Sequence, residues 1–187
     1  KRTMVLYMNI TMTASGSVKL SPGGMQALKI FIETEMPRLK RFKIYTLFND
    51  GAYRLVKELE DVGEVDYQEE EALPAADAYL NISMDIQVEK NEGRGSKGGD
   101  GGPRDPKIYY TVVTSAALTG TDRQVIDSHN FKSTETRKII EFINPRTGEN
   151  TYRGGFDPTD QDNVNKVLQE AGRKQLIDLA LWLGKKY

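Results

Sequence analysis

Between residues 77 and 89 apolar and polar side chains alternate without a break. Ala78, Leu80, Ile82, Met84, Ile86 and Val88 fall on one parity, and Asp77, Tyr79, Asn81, Ser83, Asp85, Gln87 and Glu89 on the other. A period of two predicts a β-strand with one buried face and one wet face. Residues 107–119, rich in β-branched and aromatic side chains, read as a long partner strand. Gly120-Thr121-Asp122 then turns the chain into a third strand at about 124–136, which makes an antiparallel meander. Thr3–Thr13 and Arg41–Leu47 predict two further strands.

Elsewhere the period is helical. Ser21-Pro22 sets a hydroxyl at the N-cap and proline at the first helical position, and Ala27, Leu28, Phe31, Ile32 and Met36 follow at helical spacing until Pro37. Asn49-Asp50-Gly51 predicts the cap of a second helix at about 52–60, with Leu55, Val56 and Leu59 on one side. Thr159-Asp160-Gln161-Asp162 has the form of a capping box with Thr159 at the N-cap, and it opens a long terminal helix. Val164, Val167, Leu168, Ala171, Leu176, Ile177, Leu179, Ala180, Trp182 and Leu183 supply the apolar side of that helix. Gly172 interrupts them at a cost of ~1 kcal/mol against alanine. Lys138–Ile143 and Tyr152–Phe156, around the turn 144–149, predict a further hairpin or structured arm.

These elements predict an α+β fold, an α/β sandwich: a mixed sheet with a long antiparallel meander, packed by an N-terminal helix pair and a long C-terminal helix. At 187 residues one domain, 1–187, can bury a core without metals or disulfides. It carries a glycine-rich hairpin tip at 91–106 and a polar arm at 130–156.

The charge balance narrows the function. A net charge of -1 lacks the basic excess of a nucleic-acid binder, so no nucleic-acid partner is expected. With no cysteine and one histidine, disulfide scaffolds, thiolate metal sites and multi-histidine metal sites are excluded. His129 shares its parity with Phe131 and reads as a structural histidine. Asp157, Asp160 and Asp162 lack the rhythm and glycine of a calcium loop, and acids at a helix start need only the helix dipole to explain them. Gly93-Arg94-Gly95-Ser96-Lys97-Gly98 matches G-x-G-x-x-G, but a strand follows it where a phosphate site requires a helix N-terminus. No catalytic residue, cofactor or metal is expected, and the chain does not read as an enzyme. A small-ligand or anion-binding protein using the glycine-rich loop is the alternative.

Three stretches carry a resemblance. LKRFKIYTLFNDGAYRLVKELEDVGEVD, AADAYLNISMDIQVEKNEGRGSKGG and YYTVVTSAALTGTDRQVIDSHNFKSTE are similar in order and character to segments of the CsgG/LpoB-like (TolB N-terminal-like) bacterial envelope lipoproteins. Ala76-Asp77-Ala78-Tyr79 departs from that family's Gly-Ala-Asp-Tyr. The resemblance implies a non-catalytic periplasmic module of a secretion or cell-envelope machine, associated with the outer membrane through an N-terminal lipid upstream of this chain. It also implies action by homo-oligomerisation, in a ring for some members, or by binding an envelope protein partner. In the curli pore of that family two hairpins per subunit line a membrane barrel. Here the matching regions, 87–110 and 127–157, place Lys132 and Lys138 on one parity and Glu135 and Arg137 on the other, which suits no lipid-facing side. The partner-binding residues expected in the arm are Lys138, Ile139, Ile140, Phe142, Ile143, Arg146 and Arg153, an apolar anchor flanked by charge.

Overall fold

The computed structural model describes residues 3–46, 74–92 and 106–186. The helix expected at 52–60, and with it the second member of the N-terminal helix pair, lies outside the described residues, as does nearly all of the glycine-rich segment. What is described is an α+β fold. Strands β1 (Met4–Ser15), β2 (Phe42–Thr46), β3 (Ala78–Asn91), β4 (Lys107–Gly120) and β5 (Val125–Lys138) form one mixed sheet in the order β2-β1-β3-β4-β5. β1 pairs in parallel with β2 and β3, while β3, β4 and β5 form the expected antiparallel meander. The pairing of β3 with β4 runs out to Asn91 opposite Lys107, so the glycine-rich segment leads from one strand into its antiparallel neighbour.

Two helices cover one face of this sheet. Helix α1 (Pro22–Glu35) begins where the local chemistry places it, with the Ser21 hydroxyl accepting from the Gly24 N–H, and it passes at Met36 into a 3-10 turn that contains Pro37. Helix α2 (Gln161–Lys186) crosses β4 and β5 and packs on α1. Its N-cap is Asp160, whose carboxylate accepts from the Asp162 N–H and whose carbonyl accepts from Val164, and not Thr159. Thr159 is lost to the cap because both its hydroxyl and its N–H donate to Asp157.

The even-numbered side chains of β3 face the helices and are buried: Leu80, Met84 and Ile86 are fully enclosed. They meet Leu28 and Ile32 of α1 and Leu168, Leu179 and Leu183 of α2 in one core, each contributing roughly 1.5–3 kcal/mol on burial. Gly172 is a contact point and not a weak one. A Cβ there would stand 2.8 Å from Leu28 Cδ1 and 3.1 Å from Phe31 Cδ1, so glycine allows α1 and α2 to approach. Gly16 has a second steric role. It ends β1 with φ of +109°, and a Cβ would meet the Val88 carbonyl at 2.3 Å.

Two buried polar groups in this core, Thr114 Oγ1 and Gln175 Oε1, have no hydrogen-bond partner among the described residues, although the Gln175 amide donates to Ser133. Thr114→Val keeps the shape and removes an unpaired hydroxyl, so it should raise stability by about 1 kcal/mol in urea unfolding. Gly172→Ala should do the reverse. Leu28 is fully enclosed and cannot swing away, so overpacking of about 1–3 kcal/mol outweighs the helix-propensity gain of about 1 kcal/mol, and the melting temperature falls.

Candidate functional site

After β5 the chain leaves the main sheet. Among the described residues, strands β6 (Glu141–Ile143) and β7 (Asn150–Tyr152) pair only with each other, closed by a turn in which the Asn144 carbonyl accepts from Gly148 and the Asn144 side chain from the Arg146 N–H. Gly148, at φ of +71°, supplies the left-handed residue that closes it.

The expected arm divides here. Residues 130–138 are the second half of β5, a strand of the main sheet, and so do not form a free arm. Glu135 is buried there between Lys174 and Arg137, and Arg137 pairs with Glu170 of α2. His129, an exposed residue, packs against Phe131, with ring centroids 4.6 Å apart, and stacks on Trp182.

The seven expected partner-binding residues are therefore not equivalent. Ile139 belongs to the core at 2% exposure, because its N–H donates to the Pro106 carbonyl and draws it under the end of the sheet. It cannot serve as a partner anchor. Lys138 ends β5 opposite Lys107. Ile140, Phe142 and Ile143, by contrast, are 48%, 48% and 66% exposed. Arg153 lies over the Phe142 ring, 5.6 Å from its centroid, and Arg146 sits exposed in the turn. The hairpin thus joins an apolar group to a cation stacked on its aromatic member. Such a combination, left in water, is characteristic of interface centres.

What holds the hairpin to the domain is a short list of contacts. Glu141 pairs with Lys90 of β3 at 2.5 Å, and Phe156 stands edge-to-face on Tyr110 of β4 at 5.8 Å. Lys90 also pairs with Glu92, and its pKa is raised, chiefly by the hydrogen bond to Glu141. Between hairpin, sheet, the loop before α1 and the start of α2 lies a cavity of about 330 Å³, with Lys90, Tyr110 and Tyr152 in its wall. Burial is the main cause that raises both phenols, Tyr110 to about 12. None of these wall residues was expected to be functional. Their signal in the sequence is parity, since Lys90 and Tyr110 occupy helix-facing positions that, Thr114 apart, are otherwise apolar on β3 and β4.

No family model and no curated protein matches this chain. Solved structures do. One, described as a neuraminyllactose-binding hemagglutinin homolog from Helicobacter pylori, aligns over 100% of this chain and 86% of its own length with a TM-score of 0.52 at 11% identity. The two chains share a fold. The lipoprotein GNA1162 from Neisseria meningitidis (TM-score 0.37, 11% identity, 94% of this chain and 99% of that one) and the PelC dodecamer from Paraburkholderia phytofirmans (0.33, 11%, 71% and 71%) resemble it more loosely. At such identity the likeness shows the fold alone.

The Lys90–Glu141 pair makes a pH-dependent prediction. Because the folded pKa of Lys90 lies above its unfolded value, the contribution of the pair is complete below about 10.4 and is lost as pH rises through the raised value. Glu141→Gln at neutral pH should loosen the hairpin in the same way. Broadened resonances for Phe142 and Ile143, with global stability changed by less than about 1 kcal/mol, are expected by NMR and urea unfolding.

Proposed function

We propose that this chain is a non-catalytic assembly module of the bacterial cell envelope, of the CsgG/LpoB-like kind, and that it works by homo-oligomerisation through the β6–β7 hairpin. The observation that carries the reading is the exposure of Ile140, Phe142 and Ile143 on a hairpin whose strands, among the described residues, pair only with each other. Burying three such side chains in a contact between copies would recover roughly 1.5–3 kcal/mol for each one fully covered, before the costs of association. Arg153, already ordered on Phe142, would set register by charge. Support of a coarser kind comes from the shared fold and from the segments that resemble the envelope lipoproteins.

In this reading the domain works in the periplasm at the outer membrane, attached by a lipid upstream of Lys1, and the sheet and helices form a rigid mount for the hairpin. Secretion or envelope construction is the setting, and an envelope protein that docks on the same hairpin is the heterologous version of the same contact. Among the described residues no helix is long and apolar enough to cross a membrane.

Light scattering on the purified chain tests this. A mass above the 21.0 kDa of one copy is expected, falling to one copy in Phe142→Ser/Ile143→Ser while the thermal melt is kept. A wild-type mass of one copy at all concentrations, or a double variant that keeps the oligomer, would refute the homo-oligomeric contact.

A further inference from the structure

Strand β5 closes one end of the sheet, and its outer edge is bare. Residues of an antiparallel ladder alternate between bonded and unbonded pairs. The Ile139 N–H donates to the Pro106 carbonyl, and the register carries that bonded parity back along β5, so its odd-numbered residues bond to β4. Asn130, Lys132 and Thr134 therefore turn their N–H and C=O groups away from β4, where no strand stands among the described residues. The Thr136 carbonyl, of the same parity, accepts from the Arg137 side chain instead. A bare edge on a strand of 14 residues is a template for one more strand.

Helix α2 adds an apolar flank to that edge. Glu170, Lys174, Ile177 and Leu181 fall at i, i+4, i+7 and i+11, on one side of the helix. That side is turned toward β5, because Glu170 pairs with Arg137 and Lys174 with Glu135. Further along, Gln175 donates to Ser133 and Trp182 to Asp127, so α2 runs antiparallel to β5 and brings Ile177 and Leu181 beside Asn130 and Lys132. Both are 60% exposed, although an apolar pair at this spacing is what a helix normally buries. Edge and flank together fit an extended strand with apolar side chains on one side.

The β6–β7 hairpin offers such a strand. Its ladder joins Ile140 to Arg153 and Asn144 to Glu149, so Glu141 and Ile143 turn their main-chain groups outward from β6. Ile140 and Phe142 share one side of β6, and both are exposed. The charges match as well. Beside the edge, Lys132 and Lys185 have no carboxylate partner and Asp178 no cation among the described residues, while the turn of the hairpin presents Glu149 and Arg146, equally without ion pairs.

We infer that the hairpin of one copy docks on the β5 edge of the next, which rests on the homo-oligomeric contact proposed above and names the surface that receives it. β6 adds to the sheet, Ile140 and Phe142 cover Ile177 and Leu181, Glu149 meets the lysines, and Arg146 meets Asp178. Because the two surfaces differ, the contact is head to tail, and repetition closes a ring or extends a filament.

Two variants and their mixture test this by light scattering. Ile177→Ser/Leu181→Ser should fall to one copy with its thermal melt kept, as Phe142→Ser/Ile143→Ser should. Each variant retains the surface that the other lacks. Mixed in equal amounts, they should form a complex of two copies and no larger, because the surfaces left over are both damaged. An edge variant that keeps the wild-type mass, or two single-copy variants that fail to combine, would overturn the docking on β5 and leave the hairpin contact standing. A hairpin variant that keeps the oligomer would instead overturn the hairpin contact, and the docking with it. If the double edge variant melts early, Leu181→Lys takes its place under the same criteria.

Discussion

Packing of the helices on one face of the sheet is the constraint on which the rest of the structure depends. β3 offers an unbroken apolar face from Ala78 to Val88, and that face must be covered. α1 and α2 cover it together, and they meet where Gly172 lets Leu28 and Phe31 come close. Once α2 is fixed there, its first turn lies beside Ser21 at the start of α1, and the two helix starts form one wall of the cavity. Its other end brings Trp182 to Asp127 and His129 on β5. The helices therefore set both the cavity and the strand from which the hairpin departs.

Much of this arrangement was legible in local pattern. The period-two run of β3 is long enough that no helical reading competes, and Ser21-Pro22 states a helix start in two residues. What local pattern could not convey was decided by distant partners. The parallel pairing of β1 with β2 and β3 joins segments whose contacts are far apart in sequence. Thr159 and Asp160 are both good N-caps in isolation, and the choice fell to Asp160 only because Asp157 takes the Thr159 hydroxyl. Gly172 looked like a defect because helix propensity considers one helix, whereas its role appears only against a second.

The candidate site shows the same division. KIIEFI announces an apolar stretch, but which of its members turns inward depends on the Ile139 N–H finding Pro106. Ile139 thus became core, while Ile140, Phe142 and Ile143 remained outside. The cavity was less visible still. Its trace in the sequence is Lys90 and Tyr110 on a parity that, Thr114 apart, is apolar on β3 and β4, and its closure by Tyr152 depends on the hairpin folding back. The hairpin thus carries both the exposed side chains Ile140, Phe142 and Ile143 and, in Tyr152, a part of the cavity wall.

The central claim is that the hairpin is a lightly held unit on a rigid mount and gains its full order from contact with another copy. Amide hydrogen exchange at a series of protein concentrations tests it most directly. The account predicts slow exchange, independent of concentration, for the central strands β3 and β4, with exchange at 141–152 fast in dilute protein and slowing as concentration rises. Exchange in the hairpin as slow as in β3 at every concentration would mean that it is an integral part of the domain, and the account would be wrong.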